Sequence, residues 1–393
     1  MAIEFDVVIA GGGVVGSACA YFLQCDSRFR GSIAVVEPDP TYRNAASARS
    51  ASAIRQQFST PVNIALSAYG IEFLRDVPRR LALADCRAAI GLVESTYLYL
   101  ATEAGQSPLR HGVSMQRRSG VAVSLYDRSA LAARYPWLHT VDLAAGSDTA
   151  AGEGWFDGYA LLTALRNANR RGGVRYLRDR VLSLERSYGG EIAALTLEQQ
   201  GRVACRYAVN ATGTRSRDLA SSAGIELPVY ARKRCVFVFT CPTPISSCPL
   251  VVDPSGLWFR PERDRYLCGL PADPDPNVSP EDFDVPPDLF ESRAWPILAH
   301  RVPAFAAIRL TGAWAGHYDY NVFDQNAFVG PVPSIPNLLL ASGFSGHGLQ
   351  QAPGIGRGIA EHIIGGHYQS LDLGPLSYAR YLANAPLREV NII

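Results

Sequence analysis

The residues best suited to chemistry stand near the start of the chain, in Gly11-x-Gly13-x-x-Gly16. At such a turn one glycine permits a tight bend, a second lets backbone approach a pyrophosphate, and a third lets a helix pack on the preceding strand. The helix that follows offers unpaired N–H groups and the positive end of its dipole to phosphate. Glu37 stands about 20 residues past Gly16, where a carboxylate can accept ribose hydroxyls. The spacing points to dinucleotide binding rather than to a turn that only aids packing.

Two later turns bear on which dinucleotide it is. "VNATG" (Val209 to Gly213) reads as a strand ending in small residues, which lets backbone pass close to the same ligand. "GFSGHGLQQAPGIGRG" (Gly343 to Gly358) brings a second helix N-terminus late in the chain. A nicotinamide needs no such distant turn. A flavin uses a helix dipole and N–H donors beside the ring edge that becomes anionic on reduction, so FAD is the expected cofactor.

These turns require a particular set of elements. "FDVVIA" and "SIAVVEPD" are short β-branched runs bounded by turn residues and read as buried strands, with "VVGSACAYFLQC" as the helix between them. "DGYALLTALRNANRRGG" has the apolar spacing of an amphipathic helix, "VRYLRDRVLSLE" and "RYAVNATG" read as strands, and "NLLLASG" followed by "APGIGRGIAEHIIGG" repeats the strand, turn and helix of the opening. From Ile90 to Val123 and from Val229 to Gly316 the chain reads as β-rich runs separated by Pro, Asp and Gly. The expected fold is α/β, with interleaved domains. One, at 1–89, 150–226 and 325–393, binds FAD; the other, at 90–149 and 227–324, is a substrate domain.

Composition removes several other classes. A formal charge of +1 over 393 residues, with no basic run interleaved with aromatics, gives no nucleic-acid track. No apolar run is long enough to span a bilayer and no leader pattern precedes the first strand, so a cytoplasmic protein is expected. The eight cysteines, Cys86 among them, form no C-x-x-C pair and stand beside no clustered histidines, which points to neither a metal site nor a disulfide framework. Lys233 is the only lysine among 37 basic residues.

"VVIAGGGVVGSACAYFL", "VVEPDP", "SARSASAIRQQFS", "GWFDGYALLTAL", "VNATG" and "GFSGHGLQQAPGIGRGIAEHI" together resemble the D-amino-acid oxidase and sarcosine oxidase family of FAD enzymes, nearly end to end. The resemblance implies a glutathione-reductase-like FAD domain and a substrate domain on a mixed, largely antiparallel sheet. It also implies cofactor contacts from Gly11, Gly13, Val14, Val15, Gly16 and Glu37; from Ser47, Arg49, Ser50 and Val181; and from Ala211, Gly213, Gly346, Gly348, Leu349 and Gln350. Sarcosine oxidases bind flavin covalently through a cysteine where this chain resembles them at Gly316. No cysteine follows Cys268, so noncovalent FAD is expected.

On the same resemblance Arg55 matches the arginine that clamps a substrate carboxylate, and Arg260 is a second candidate for that task. Tyr318 matches a tyrosine over the substrate face of the flavin, while Tyr320 and Phe323 read as packing residues. His347 is expected beside the flavin as a neutral donor or orienter. Gln350 stands where sarcosine oxidases carry a lysine, which argues against a sarcosine-like substrate. The implied reaction is oxidation of a C–N bond in a secondary amine or D-amino acid, the imine then being hydrolysed. Oxidation of a 2-hydroxy acid is the alternative within enzymes. Because the resemblance extends to a family member linked to assembly of a larger complex, a flavin-bearing interaction protein with little turnover stands beside them. The strand "RDRYLCGLP" lacks the lysine that promotes oxygen reaction in sarcosine oxidases, and Arg263 and Arg265 read as an exposed hairpin tip. A dehydrogenase passing electrons to a quinone or carrier protein is therefore expected over an oxidase.

Overall fold

The computed structural model describes residues 3–82 and 88–391. Strand β1 (Ile3–Ala10) is buried on both faces: Val7 and Ile9 pack into one apolar cluster, Val8 and Ala10 into another. That period-2 partition is why the run is apolar without interruption. Helix α1 (Val14–Cys25) and strand β2 (Ile33–Val36) complete a parallel unit, with Val7 opposite Ile33 and Ala10 opposite Val36. On the other side of β1 lies the strand Gly201–Asn210, also parallel, which in turn pairs with Ile335–Ser342. The strands Arg175–Leu177, Val181–Arg186, Ile192–Leu197 and Phe328–Val332 extend this sheet to eight.

The C-terminal helix Gly348–Gly365 lies against α1, and Gly356 marks the closest approach: a Cβ there would stand 2.6 Å from the Ala18 carbonyl carbon. Two glycine turns are thus brought side by side by helix packing.

A second eight-stranded sheet runs, in spatial order, from Arg309–Asn321 through Val229–Thr240, Arg265–Leu270, Trp258–Glu262, Leu250–Val252, Tyr97–Ala101 and Ala145–Thr149 to Val123–Asp127. It is antiparallel except where Leu250–Val252 meets Tyr97–Ala101. Its longest pairing sets Val229 opposite Asn321 and Thr240 opposite Arg309, with a bulge after Val238. One face carries Phe237, Phe239 and Phe259 into a core closed by the helix Trp295–Arg301; the other carries Val236, Leu250, Trp258 and Leu267. A small sheet of Ala53–Ile54, Glu153–Trp155 and Val93–Ser95 joins segments on both sides of the expected domain boundaries.

One stretch differs from its sequence reading. Residues expected to alternate strand and turn up to Val123 instead contain a 16-residue helix, Glu103–Arg118. Gly105, Pro108 and Gly112 disguise it, yet Glu103 in its first turn and Arg117 and Arg118 in its last complement the helix dipole. Only Val113 and Gln116 are buried, so the apolar period that would announce a helix is nearly absent. Among the described residues seven cysteines are free thiols; Cys86 lies outside them. No described helix is long and apolar enough to cross a membrane.

Candidate active site

A cavity of about 750 Å³ lies between the two large sheets, lined by the turns at both helix N-termini and by residues of the second sheet. At its first end the backbone is bare for different reasons at each glycine. Gly11 has φ +96° and a Cβ would meet the Ala211 carbonyl oxygen at 2.3 Å; at Gly16 a Cβ would meet the Gly11 oxygen at 2.0 Å. These two glycines serve the fold. Gly13 is different, since a Cβ there would meet only the Ser47 Oγ, at 3.5 Å. The space beside it belongs to the cavity.

Glu37, at the end of β2, accepts from the Gly12 N–H (2.9 Å) and the Asp39 N–H (3.0 Å), and burial pushes its carboxyl up from the usual range. Ser47 accepts from the Val14 N–H at 3.1 Å. Neither α1 nor the C-terminal helix has a side-chain cap at its N-cap residue, Gly13 or His347, so both helices turn N–H groups toward one cavity. Val14, Val15, Ser47, Arg49, Ser50, Val181, Ala211, Gly213, Gly346, Gly348 and Leu349 all line it. Gly16 does not; it lies behind, where α1 meets the turn. A dinucleotide with phosphates at Gly13 and a ring at Gly346 fits this donor set. Among the lining residues Cys235 is the one cysteine, and burial raises its thiol pKa, so it is no thiolate; Gly316 presents no side chain.

At the other end stands Arg55, 3% exposed. Its Nη2 donates to His347 Nε2 at 2.9 Å and to the Asn391 carbonyl, and its guanidinium lies 4.5 Å over the Phe58 ring. Its Nε makes no hydrogen bond, and among the described residues no carboxylate pairs with it. The loop is tied down on both sides. Gln350 Oε1 accepts from the Arg55 N–H (2.9 Å), Ser67 Oγ donates to the Arg55 carbonyl, and buried Glu153 accepts from the N–H groups of Gln56 (2.8 Å) and Tyr97 (2.8 Å). Gln350 lines the cavity, but its oxygen is spent on holding Arg55.

His347 is buried, and burial and the Arg55 charge hold its pKa well below the usual value. With Nε2 accepting from Arg55, the neutral ring carries its proton on Nδ1. Tyr318 lines the cavity, its ring packed against Gly346 and 5.0 Å under the Arg234 guanidinium. His317, one residue earlier, also lines the cavity, with its ring bonded to the Asp282 carbonyl (2.8 Å) and packed edge-on against Phe283. Arg260 is buried outside the lining, bonded to Glu262 (2.6 Å) and the Ala51 carbonyl (2.8 Å). Tyr320 packs under Arg232 and Phe323 against Tyr381.

Trp258, Val236 and Asp319 are among the lining residues that sequence reasoning missed. Trp258 and Val236 come from the second sheet and make an apolar wall, which no motif marks. Asp319 is adjacent to Tyr318, and that adjacency was the available signal. Its Oδ2 accepts from Gly343 N–H (2.7 Å) and Phe344 N–H (3.2 Å), bracing the glycine turn, and burial pushes its carboxyl up to about 6.

Comparison with known proteins agrees with this geometry. The family described as DAO, FAD dependent oxidoreductase, matches residues 6–362. The chain is 38% identical to FAD-dependent oxidoreductase domain-containing protein 1 of Bos taurus over 410 residues, 96% of this chain and 84% of that one. Its fold is similar to the crystal structure of L-proline dehydrogenase from P. horikoshii (TM-score 0.84, 20% identity, 98% and 100% of the two chains) and to glycine oxidase from Geobacillus kaustophilus (TM-score 0.81, 22% identity, 95% and 98%).

Two outcomes follow from the site. Gly13→Ala folds normally, as urea unfolding of the apoprotein will show, but retains little flavin, whereas Gly16→Ala lowers apoprotein stability itself. Equal flavin content in Gly13→Ala and the parent chain would remove the pyrophosphate from that turn. Asp319 has a folded pKa above its unfolded value, so its contribution is full below about pH 4 and is lost as pH rises through about 6. Asp319→Asn keeps the acceptor and removes the charge. The apoprotein variant therefore gains on the parent chain between these limits, by at most about 3 kcal/mol in urea unfolding; parallel pH profiles would place the titration elsewhere.

Proposed function

The chain belongs to the DAO family of FAD-dependent oxidoreductases, and within it we propose that it oxidises the C–N bond of a secondary amine or D-amino acid that carries a carboxylate. The observation behind this reading is Arg55, a buried guanidinium at the cavity with an unpaired Nε and no carboxylate partner among the described residues. A buried charge left uncompensated is costly, and an anionic ligand removes that cost. The two structural neighbours, an L-proline dehydrogenase and a glycine oxidase, are named for small carboxylate-bearing amines, which supports the same class.

FAD, when bound, supplies the two-electron acceptor for such an oxidation. The chain's own work is binding and positioning. Arg55 clamps the carboxylate, and its plane is set by the Phe58 ring and by His347, which accepts one N–H and stays neutral. A neutral His347 adds no second charge, so the carboxylate is held by Arg55 alone where sarcosine oxidases add a lysine. Val236, Leu250 and Trp258 exclude water from the reacting carbon. The substrate enters as the neutral amine, loses a hydride equivalent from carbon and a proton from nitrogen to water, and leaves as an imine that water hydrolyses.

The acceptor reading rests on charge. No lysine lines the cavity; Lys233 is paired with Asp282 at 2.8 Å, and Arg234 is neutralised by a two-bond contact with Asp275 at 2.7 and 2.9 Å. Arg263 and Arg265 sit at the exposed tip of the hairpin. Of the cations that line the cavity, Arg55 is assigned to the substrate carboxylate and Arg49 is tied to the Arg43 and Ala315 carbonyls and to Asn44 Oδ1; with no lysine poised beside the ring, reduction of oxygen to an anion lacks that electrostatic support, and a quinone or carrier protein becomes the natural acceptor.

Anaerobic mixing of the yellow holoprotein with amines, D-amino acids and 2-hydroxy acids tests the class: bleaching by a carboxylate-bearing amine is expected, and bleaching by hydroxy acids alone, or by nothing in the panel, overturns it. Arg55→Lys keeps its flavin and lowers kcat/KM for that amine about 30- to 1,000-fold, the loss of about 2–4 kcal/mol of guanidinium recognition; an unchanged value makes Arg55 structural. In stopped-flow reoxidation a soluble quinone outruns air-saturated buffer, and the opposite order makes the protein an oxidase.

A further inference from the structure

Away from the flavin cavity, on the substrate-domain surface, three side chains meet that are far apart in sequence. His139 and Asp142 belong to the loop before the strand Ala145–Thr149, and His300 to the last turn of the helix Trp295–Arg301. One nitrogen or oxygen from each lies within 4.8 Å of the others. The imidazoles meet edge to face with centroids 4.7 Å apart, and His300 Nε2 faces Asp142 Oδ2 at 3.6 Å, beyond a good hydrogen bond. None of the three lines the cavity.

The support beneath them is rigid. Arg301, 2% exposed, donates from Nη1 and Nη2 to the two Asp142 oxygens (2.9 and 2.8 Å), from Nη1 to the His139 carbonyl (2.6 Å), and from Nε to Asp253 Oδ2 (2.6 Å). The His139 N–H returns a bond to the Arg301 carbonyl at 2.9 Å. One guanidinium is therefore shared by two carboxylates, and the group keeps a net negative charge on its outer side. The fork uses one edge of Asp142 and leaves an Oδ2 lone pair toward His300. His139 Nδ1 is shielded from water and has no hydrogen-bond partner. A shielded ring nitrogen with no partner, two imidazoles and an oriented carboxylate are the donors a borderline divalent cation takes.

We propose that His139, Asp142 and His300 form a binding site for a zinc-class divalent metal ion, separate from the flavin centre. Ligands around one tetrahedral zinc stand about 3.3 Å apart, so the two rings and the carboxylate must close inward by about 1.5 Å. His300 and Asp142, with side chains 53% and 40% exposed, have room to do so. Arg301 holds the carboxylate from behind, the role of an outer-shell partner. Three protein ligands leave a fourth position for water or for a donor on another molecule. The ion would staple the 139–142 loop to the helix end, on a domain whose other face closes the substrate site.

The test uses chelator-treated holoprotein kept reduced with a phosphine. Zinc(II) is titrated in competition with a chromophoric chelator, and cobalt(II) by its visible ligand-field bands. One equivalent of each metal is expected to bind, without the thiolate charge-transfer band that a cysteine site would give. His139→Gln and His300→Gln are surface changes that leave flavin content intact, and each should weaken binding by at least about tenfold, the effect reached even by outer-shell changes. Absence of saturable binding overturns the site, as does binding that survives unchanged in the double variant.

Discussion

A full positive charge on Arg55, taken almost wholly out of water, is the constraint around which the candidate site is arranged. Such a charge is tolerable only when its surroundings are fixed and its remaining partner is specified. The surroundings come from five residues: the Phe58 ring three positions along the same loop, His347 and Gln350 at the start of the second helix, Ser67 on the helix Pro61–Arg80, and the carbonyl of Asn391. The C-terminal segment is itself anchored by Glu389, a fully buried carboxylate that accepts from Ser59 N–H (2.8 Å), Thr60 Oγ1 (3.0 Å) and Asn63 Nδ2 (2.9 Å). A guanidinium so held has few ways to move, which makes its recognition geometric as well as electrostatic.

The cofactor end solves a different problem with the same economy of parts. Phosphates need free N–H donors, and the two helices that face the cavity begin at Gly13 and His347 without a cap from the N-cap side chain, although the Val14 N–H is taken by Ser47 Oγ. Their convergence depends on close helix packing at Gly356 against Ala18 and on the bare turn at Gly11 against Ala211. Asp319 then uses a carboxylate to order the Gly343–Phe344 backbone, at the cost of burying an ionisable group. The solved structures of similar fold include both a dehydrogenase and an oxidase, so the fold alone does not specify the electron acceptor.

Much of this was legible in local pattern. The glycine turn, the strands around it and the C-terminal strand, turn and helix were each announced by apolar runs and small residues with a steric reason to be there. The helix Glu103–Arg118 was hidden because it buries only two residues and carries two glycines and a proline, so periodicity had nothing to report. Gln350 was readable as a pocket residue, but not as the acceptor for the Arg55 N–H, and Arg260 was readable as a second carboxylate candidate on a strand but not as the partner of Glu262 outside the cavity.

The sequence by itself determined the order of elements, the dinucleotide turn and the identity of the chemical groups available, because each of these depends on residues within about one βαβ unit of one another. Tertiary structure alone decided which groups meet. Arg55 reaches His347 and Asn391, and His139 reaches His300, only because sheets and helices fold distant segments together. It also decided protonation, since the neutral state of His347 and the raised pKa of Asp319 come from burial and from neighbouring charge. Burial and charge at a point are sums over everything packed nearby in space, and no local run of residues contains that sum.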